Sequence, residues 1–243
     1  MRLYDEVIRK WDQLKEAGNP KVLDLSSAAT WEDAGKNNMI LRSNMAYELG
    51  GAEMPLPAMG RTVITADETL VPRDEVLLLG RDLPDIKEEC PYARLTVALV
   101  DEEKMGEGDA LYNAIRDIEY VRYHVNPKGF MMRVSTSHNR ESVRVSKEAL
   151  DSGLNFAAVG KSFIDTLHKN PRVKAVKVIF ITDPRFDFDS LKNELKKAED
   201  ITKTIDHVFK DLTMDCNICN LKEVCDEVEG LRELHFKNST PAT

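Results

Sequence analysis

The chain has only four cysteines among 243 residues, too few for a disulfide framework and about enough for one metal site. No run approaches the roughly 18 apolar residues of a membrane helix. The start, Met1-Arg2-Leu3-Tyr4-Asp5-Glu6, lacks the apolar core of a secretory signal. Bases are the minority: 34 Lys and Arg against 42 Asp and Glu give a net charge of -8, which argues against a broad basic face for nucleic acid. No G-x-G-x-x-G follows a strand, and there is no Walker A sequence, no G-x-S-x-G elbow and no H-x-E or H-E-x-x-H spacing. Internal repeats and low-complexity segments are absent too. These absences predict a cytoplasmic protein with neither nucleic acid nor membrane as partner. What remains, 42% hydrophobic and 31% charged residues, is the make-up of a globular protein with one large domain or two small ones.

Periodicity predicts an amphipathic helix over the first seventeen residues, with Leu3, Val7, Ile8, Trp11 and Leu14 at helical spacing and Gly18-Asn19-Pro20 as its stop. A short helix is expected near Ser26–Lys36, and a loop over Gly50–Pro57. Short strands are expected over Arg61–Thr65 and Glu75–Gly80. Arg94–Val100 is nearly continuous in apolar residues, as in a strand buried on both faces. Then follow a helix over Ala110–Tyr120, a turn at Asn126–Gly129, and a strand over Phe130–Ser135. A helix is expected over Glu141–Ser152 with a stop at Gly153, and another capped by Asn155 running to Leu167. Val173–Thr182 reads as a strand, and Asp187–Phe209 as a long helix with one apolar stripe. The expected fold is α+β or α/β: a small mixed sheet of three or more strands covered by helices. The expected organisation is a helical and loop subregion over 1–60, an α/β domain over 61–210, a Cys-rich segment over 211–236 and a disordered tail over 237–243.

Three of the four cysteines fall within ten residues, as Cys216-x2-Cys219-x5-Cys225; the fourth, Cys90, stands alone before Pro91. An x2 spacing lets one tight turn bring two sulfurs onto one ion or cluster, and five more residues return a third. Cys90, Asp215, His207 and His235, or an exogenous ligand, are the candidates for the remaining position. Four thiolates would suit a 4Fe–4S cluster; zinc would accept three cysteines with a histidine, or four cysteines.

Residues 127–147 concentrate Lys128, Arg133, Arg140, Arg144 and Lys147, with Ser135, Thr136, Ser137 and Ser142 supplying hydroxyls. Between a strand and a helix, such a loop would offer guanidinium groups and free backbone N–H groups to phosphate. The plain alternative is a solvated helix start, its bases paired with Glu141 and Glu148.

Two adjoining stretches carry a resemblance. Arg133–Thr182 resembles the middle region of acetyl-CoA synthase, the β subunit of the carbon monoxide dehydrogenase/acetyl-CoA synthase complex. Upstream, PYARLTVALVDEEKMGEGDALYNAIRDIEYV is similar to that family's preceding strand and helix. Downstream, Asp215-Cys216-Asn217-Ile218-Cys219 looks like the start of its cysteine segment. The likeness covers roughly residues 91–226. It implies that Cys216 and Cys219 match the first two ligands of an iron–sulfur cluster and that Cys225, at a shorter spacing than the family's, matches the third. It implies CoA as a ligand, with Arg133, Arg140 and Arg144 at its phosphates. The family's downstream Cys-Gly-Cys, which holds nickel, has no counterpart here, so nickel is not expected. The resemblance thus implies an accessory or partial subunit of anaerobic one-carbon metabolism, with carbon monoxide dehydrogenase or a corrinoid iron–sulfur protein as partner. If the chain is an enzyme, the implied type is a CO-methylating acetyl-CoA synthase-type acyltransferase subunit. The alternatives are a zinc-stabilised interaction module and a CoA-binding protein without redox chemistry.

Overall fold

The apolar run around Arg94–Val100 forms β5, Tyr92–Val100, and every one of its residues is buried. A strand with no wet face needs a layer on each side, and the rest of the chain supplies both. The computed structural model describes residues 2–40, 45–51, 55–135, 139–209 and 221–228. β5 lies parallel to β3, Ala58–Thr65, and antiparallel to β8, Val173–Ile181. β8 runs parallel to β4, Glu75–Leu79, which pairs antiparallel with the short edge strand β1, Lys21–Leu23. The five-stranded mixed sheet has the order β1-β4-β8-β5-β3.

One face of this sheet meets α1 (Asp5–Ala17), α2 (Asp109–Tyr120) and the long α5 (Phe188–Phe209). The apolar stripe of α5, through Leu191, Leu195, Ala198, Ile201 and Ile205, is buried there. α4, Phe156–Leu167, packs on the other face. It approaches so closely that a Cβ on Gly160 would come within 2.4 Å of a Val76 methyl. Beside α4 stands a second, three-stranded antiparallel sheet of order β2-β7-β6, made of Ala46–Leu49, Glu141–Ser146 and Phe130–Val134. A short α3, Lys147–Asp151, and an α6, Lys222–Glu227, complete the elements. The protein is therefore mixed α/β with helices packed on sheets. One apolar cluster runs from Leu3 to Val228, and the first 60 residues contribute α1, β1, β2 and the start of β3. No helix among the described residues is long and apolar enough to cross a membrane.

Two expected helices form differently. The first half of Glu141–Ser152 is a strand, β7, and only Lys147–Asp151 is helical. In β7 Glu141, Val143 and Val145 are buried while Arg144 and Ser146 on the other face are half-buried, a period of two that outweighs the helix-forming residues behind it. The helix starts only at the Ser146 cap, whose hydroxyl accepts from the Ala149 N–H. Over Ser26–Lys36 no α-helix forms; the only helical turn is a 3-10 turn at Gly35–Asn37. Asp24 Oδ1 accepts from both the backbone N–H and the hydroxyl of Ser26, at 2.8 and 2.7 Å, the local bonding that competes with a helix. The segment instead runs along the turn before β6: the Trp31 indole N–H donates to the Lys128 carbonyl at 2.8 Å. The other expected helices and strands form at the expected places, and the cap of α4 is Asn155, whose side chain accepts from the Ala158 N–H at 2.9 Å.

Candidate functional site

Side chains alternate across a strand, so β7 presents two chemically different faces. Its inner face carries Glu141, which meets Arg94 of β5 in a buried fork: Nε to Oε1 and Nη2 to Oε2, both 2.6 Å, with neither side chain exposed. Arg94 Nη1 donates further to Thr96 Oγ1 at 2.6 Å, and the Phe163 ring lies 4.6 Å from its guanidinium carbon. Burial by itself would pull this guanidinium down, but the facing Glu141 carboxylate holds it above its ordinary value. Burial, reinforced by the same carboxylate, raises the Tyr92 hydroxyl well above the usual tyrosine range. The pair needs Gly60 beside it, since a Cβ there would fall 2.2 Å from Glu141 Oε2. These groups are dry and fully enclosed, and they act as structure.

The outer face of the small sheet is where the arginines gather. Arg144 of β7 stands opposite Glu48 of β2, and Arg133 of β6 stands opposite Ser142 of β7; directly paired residues share a face. Glu48 is 3% exposed. Its Oε2 accepts from Arg133 Nη2 at 2.5 Å, and its Oε1 accepts from Arg144 Nε. Arg144 Nη1 donates to the Ile40 carbonyl at 2.6 Å. Arg140 reaches in from the hairpin end, its Nη2 donating to the Gly50 carbonyl at 3.3 Å. Gly50 can turn there because it sits at φ 84° and a Cβ would come 2.5 Å from that of Ala58. Arg133, Arg140 and Arg144, with Ser135, Ser142 and Gly51, line a cleft of about 580 Å³. Set against Glu48, the three guanidiniums leave two net positive charges there among the described residues, in a chain of net charge -8.

The site corrects the expected setting of these arginines. They do not surround a helix N-terminus; they stand on and beside two paired strands, and the charged donors lining the cleft are guanidinium groups. Arg133 and Arg144 pair with Glu48 rather than with Glu141 or Glu148. The same end of the hairpin is clamped to α5 by Asn139, whose Nδ2 donates to Glu199 Oε2 at 2.7 Å and whose Oδ1 accepts from Arg61 Nη1 at 3.0 Å. Arg61 in turn forks between Glu119 and Thr202, each at 2.7 Å.

Cys216 and Cys219 lie outside the described residues, as do Asp215, His235 and the tail over 237–243. Cys225 falls on α6 and His207 on α5, with their side chains outside the described set. Cys90 is 1% exposed inside the main apolar cluster, where its carbonyl accepts from the Gly50 N–H at 2.8 Å. Burial pushes its thiol up to about 11, so at neutral pH it is protonated. Among the described residues, no group of three or more His, Cys, Asp or Glu side chains is placed to hold a metal.

Fold and site define a mixed α/β protein with an arginine-lined cleft on the outer face of its smaller sheet. No protein-family model matches the chain, and no curated protein matches it significantly.

Proposed function

We propose that the chain is a cytoplasmic binding protein for a phosphate-bearing ligand of the coenzyme A class, received in the arginine cleft. The observation that carries this reading is the convergence of Arg133, Arg140 and Arg144 on one cleft. Planar guanidinium forks match phosphate oxygens two at a time, and such charge-assisted bonds are about twice as strong as neutral ones. The cleft volume of about 580 Å³ is in the range of small-molecule sites. The choice of CoA among phosphate ligands rests on the resemblance of residues 133–182 to acetyl-CoA synthase. Calorimetric titration with CoA tests it. Binding is expected, weakened about tenfold or more by R133Q or R144Q, since one charge-assisted bond is worth about 1.5–3 kcal/mol. C216S should leave it unchanged. No heat of binding at millimolar CoA would sink the reading.

A second reading concerns the C-terminal cysteines and is supported by their spacing. Cys216, Cys219 and Cys225 would hold a 4Fe–4S cluster, or a zinc ion in its place, with Cys90 as the fourth thiol for a cluster. Such a protein would serve anaerobic one-carbon metabolism beside carbon monoxide dehydrogenase or a corrinoid iron–sulfur protein. Protein prepared without oxygen should then be brown and carry roughly four irons per chain, lost in C216S. One zinc per chain would select the zinc-stabilised module instead, and metal-free protein would overturn both.

A further inference from the structure

The geometry points to Glu48 as a built-in competitor for the ligand of the cleft: a carboxylate of the chain that occupies donors of two guanidiniums and sets how strong an anion must be to displace it. The inference rests on the reading of the cleft as a phosphate site.

Both oxygens of Glu48 are engaged, one by Arg133 and one by Arg144. A guanidinium grips phosphate best through a fork of two parallel N–H groups. On Arg144, Nε is held by Glu48 and Nη1 by the Ile40 carbonyl. On Arg133, Nη2 is held by Glu48. An incoming phosphate therefore gains the single N–H of Arg144 Nε only by exchanging with the resident carboxylate, and at Arg133 Nη2 it finds one of the two N–H groups already committed to Glu48. Arg140 differs: it is exposed and gives its Nη2 to a neutral carbonyl at 3.3 Å. It is the group an approaching anion meets first.

Exchange of this kind makes the cleft selective. A singly charged carboxylate or halide offers Arg133 and Arg144 nothing that Glu48 does not already give. A multiply charged phosphate offers more charge and more oxygens, and so wins. Glu48 also keeps two like charges together on one face while the cleft is empty, when they would otherwise repel.

Calorimetric titration of the full chain with inorganic pyrophosphate tests this, comparing wild type with E48Q. The substitution keeps the side chain's shape, removes the competing charge and raises the net charge of the cleft by one. Pyrophosphate affinity is expected to rise about tenfold or more, the scale of one added charge in a half-buried site. A merely structural glutamate would give the opposite, weaker binding by a loosened cleft. Since E48Q leaves two arginines without their carboxylate, a second comparison guards against misfolding. R133Q against E48Q/R133Q repeats the test with only Arg144 facing position 48, and the double variant is expected to bind more tightly. Circular dichroism checks that each variant is folded. If wild type binds pyrophosphate and both Glu48 substitutions bind equally or more weakly, the competitor role is overturned and the phosphate cleft stands. If no variant binds, the phosphate cleft fails and the competitor role with it. If only the Glu48 variants bind, the competitor role stands and the native chain takes no such ligand.

Discussion

Glu141→Ala is expected to cost about 3–5 kcal/mol of folding stability, because it strands the Arg94 guanidinium where water does not reach. Arginine cannot escape by losing its proton, and both side chains are fully buried. The two hydroxyls within reach of its Nη1, on Thr96 and Thr62 at 2.6 and 3.3 Å, satisfy donors but not charge. Against a total stability of about 5–15 kcal/mol for a typical domain, the loss is severe. Urea unfolding should show a lower midpoint with an unchanged slope. The double variant R94M/E141L should recover most of the loss, since removing both charges removes the desolvation they impose. A stability for Glu141→Ala within about 1 kcal/mol of wild type would mean that the pair is not the dry contact described.

Phe156→Ala is expected to cost a similar amount, about 3–5 kcal/mol, for a different reason. Phe156 opens α4, and its ring stacks on Phe180 of β8 at 4.4 Å while standing edge-on to Phe130 of β6 at 6.5 Å. One fully buried ring thus touches both sheets, and truncating it opens a cavity where they meet. A fall in melting temperature on the order of 10 °C is the expected readout for a chain of this size. Phe156→Leu, which fills more of the space, should lose clearly less. Equal losses for the two variants would mean that the ring's own geometry, and not the filled volume, joins the layers.

Much of the frame is legible in local sequence. The run RLTVALV forms β5, VKAVKVIFI forms β8, and Asn155 caps α4, because each signal is strong over its own few residues. β7 is harder: Glu141–Ser146 is followed at once by Lys147-Glu148-Ala149-Leu150, good helix formers, and the join falls at a serine that only the folded backbone identifies as a cap. β1 and β2 are three and four residues long and exist through pairing with segments far along the chain. The gathering of Arg133, Arg140 and Arg144 is legible as a local excess of bases in an acidic chain. Glu48 is not, because nothing near Ala46-Tyr47-Glu48-Leu49 says that it will lie opposite Arg144. Its one sequence signal is a lone acid in an otherwise uncharged short strand.

The two faces of β7 also fix where the chain tolerates insertion. A shift of this strand by one residue would exchange its faces, carrying Arg140 into Glu141's place beside Arg94 and Glu141 out into Ser142's place opposite Arg133. Two guanidiniums would then meet in the dry layer with no carboxylate between them. The charges therefore act as a frame marker for the small sheet. Single-residue insertions or deletions within Glu141–Ser146 fall under a double penalty, one in the interior and one in the cleft, while length changes outside the strand leave both faces in place.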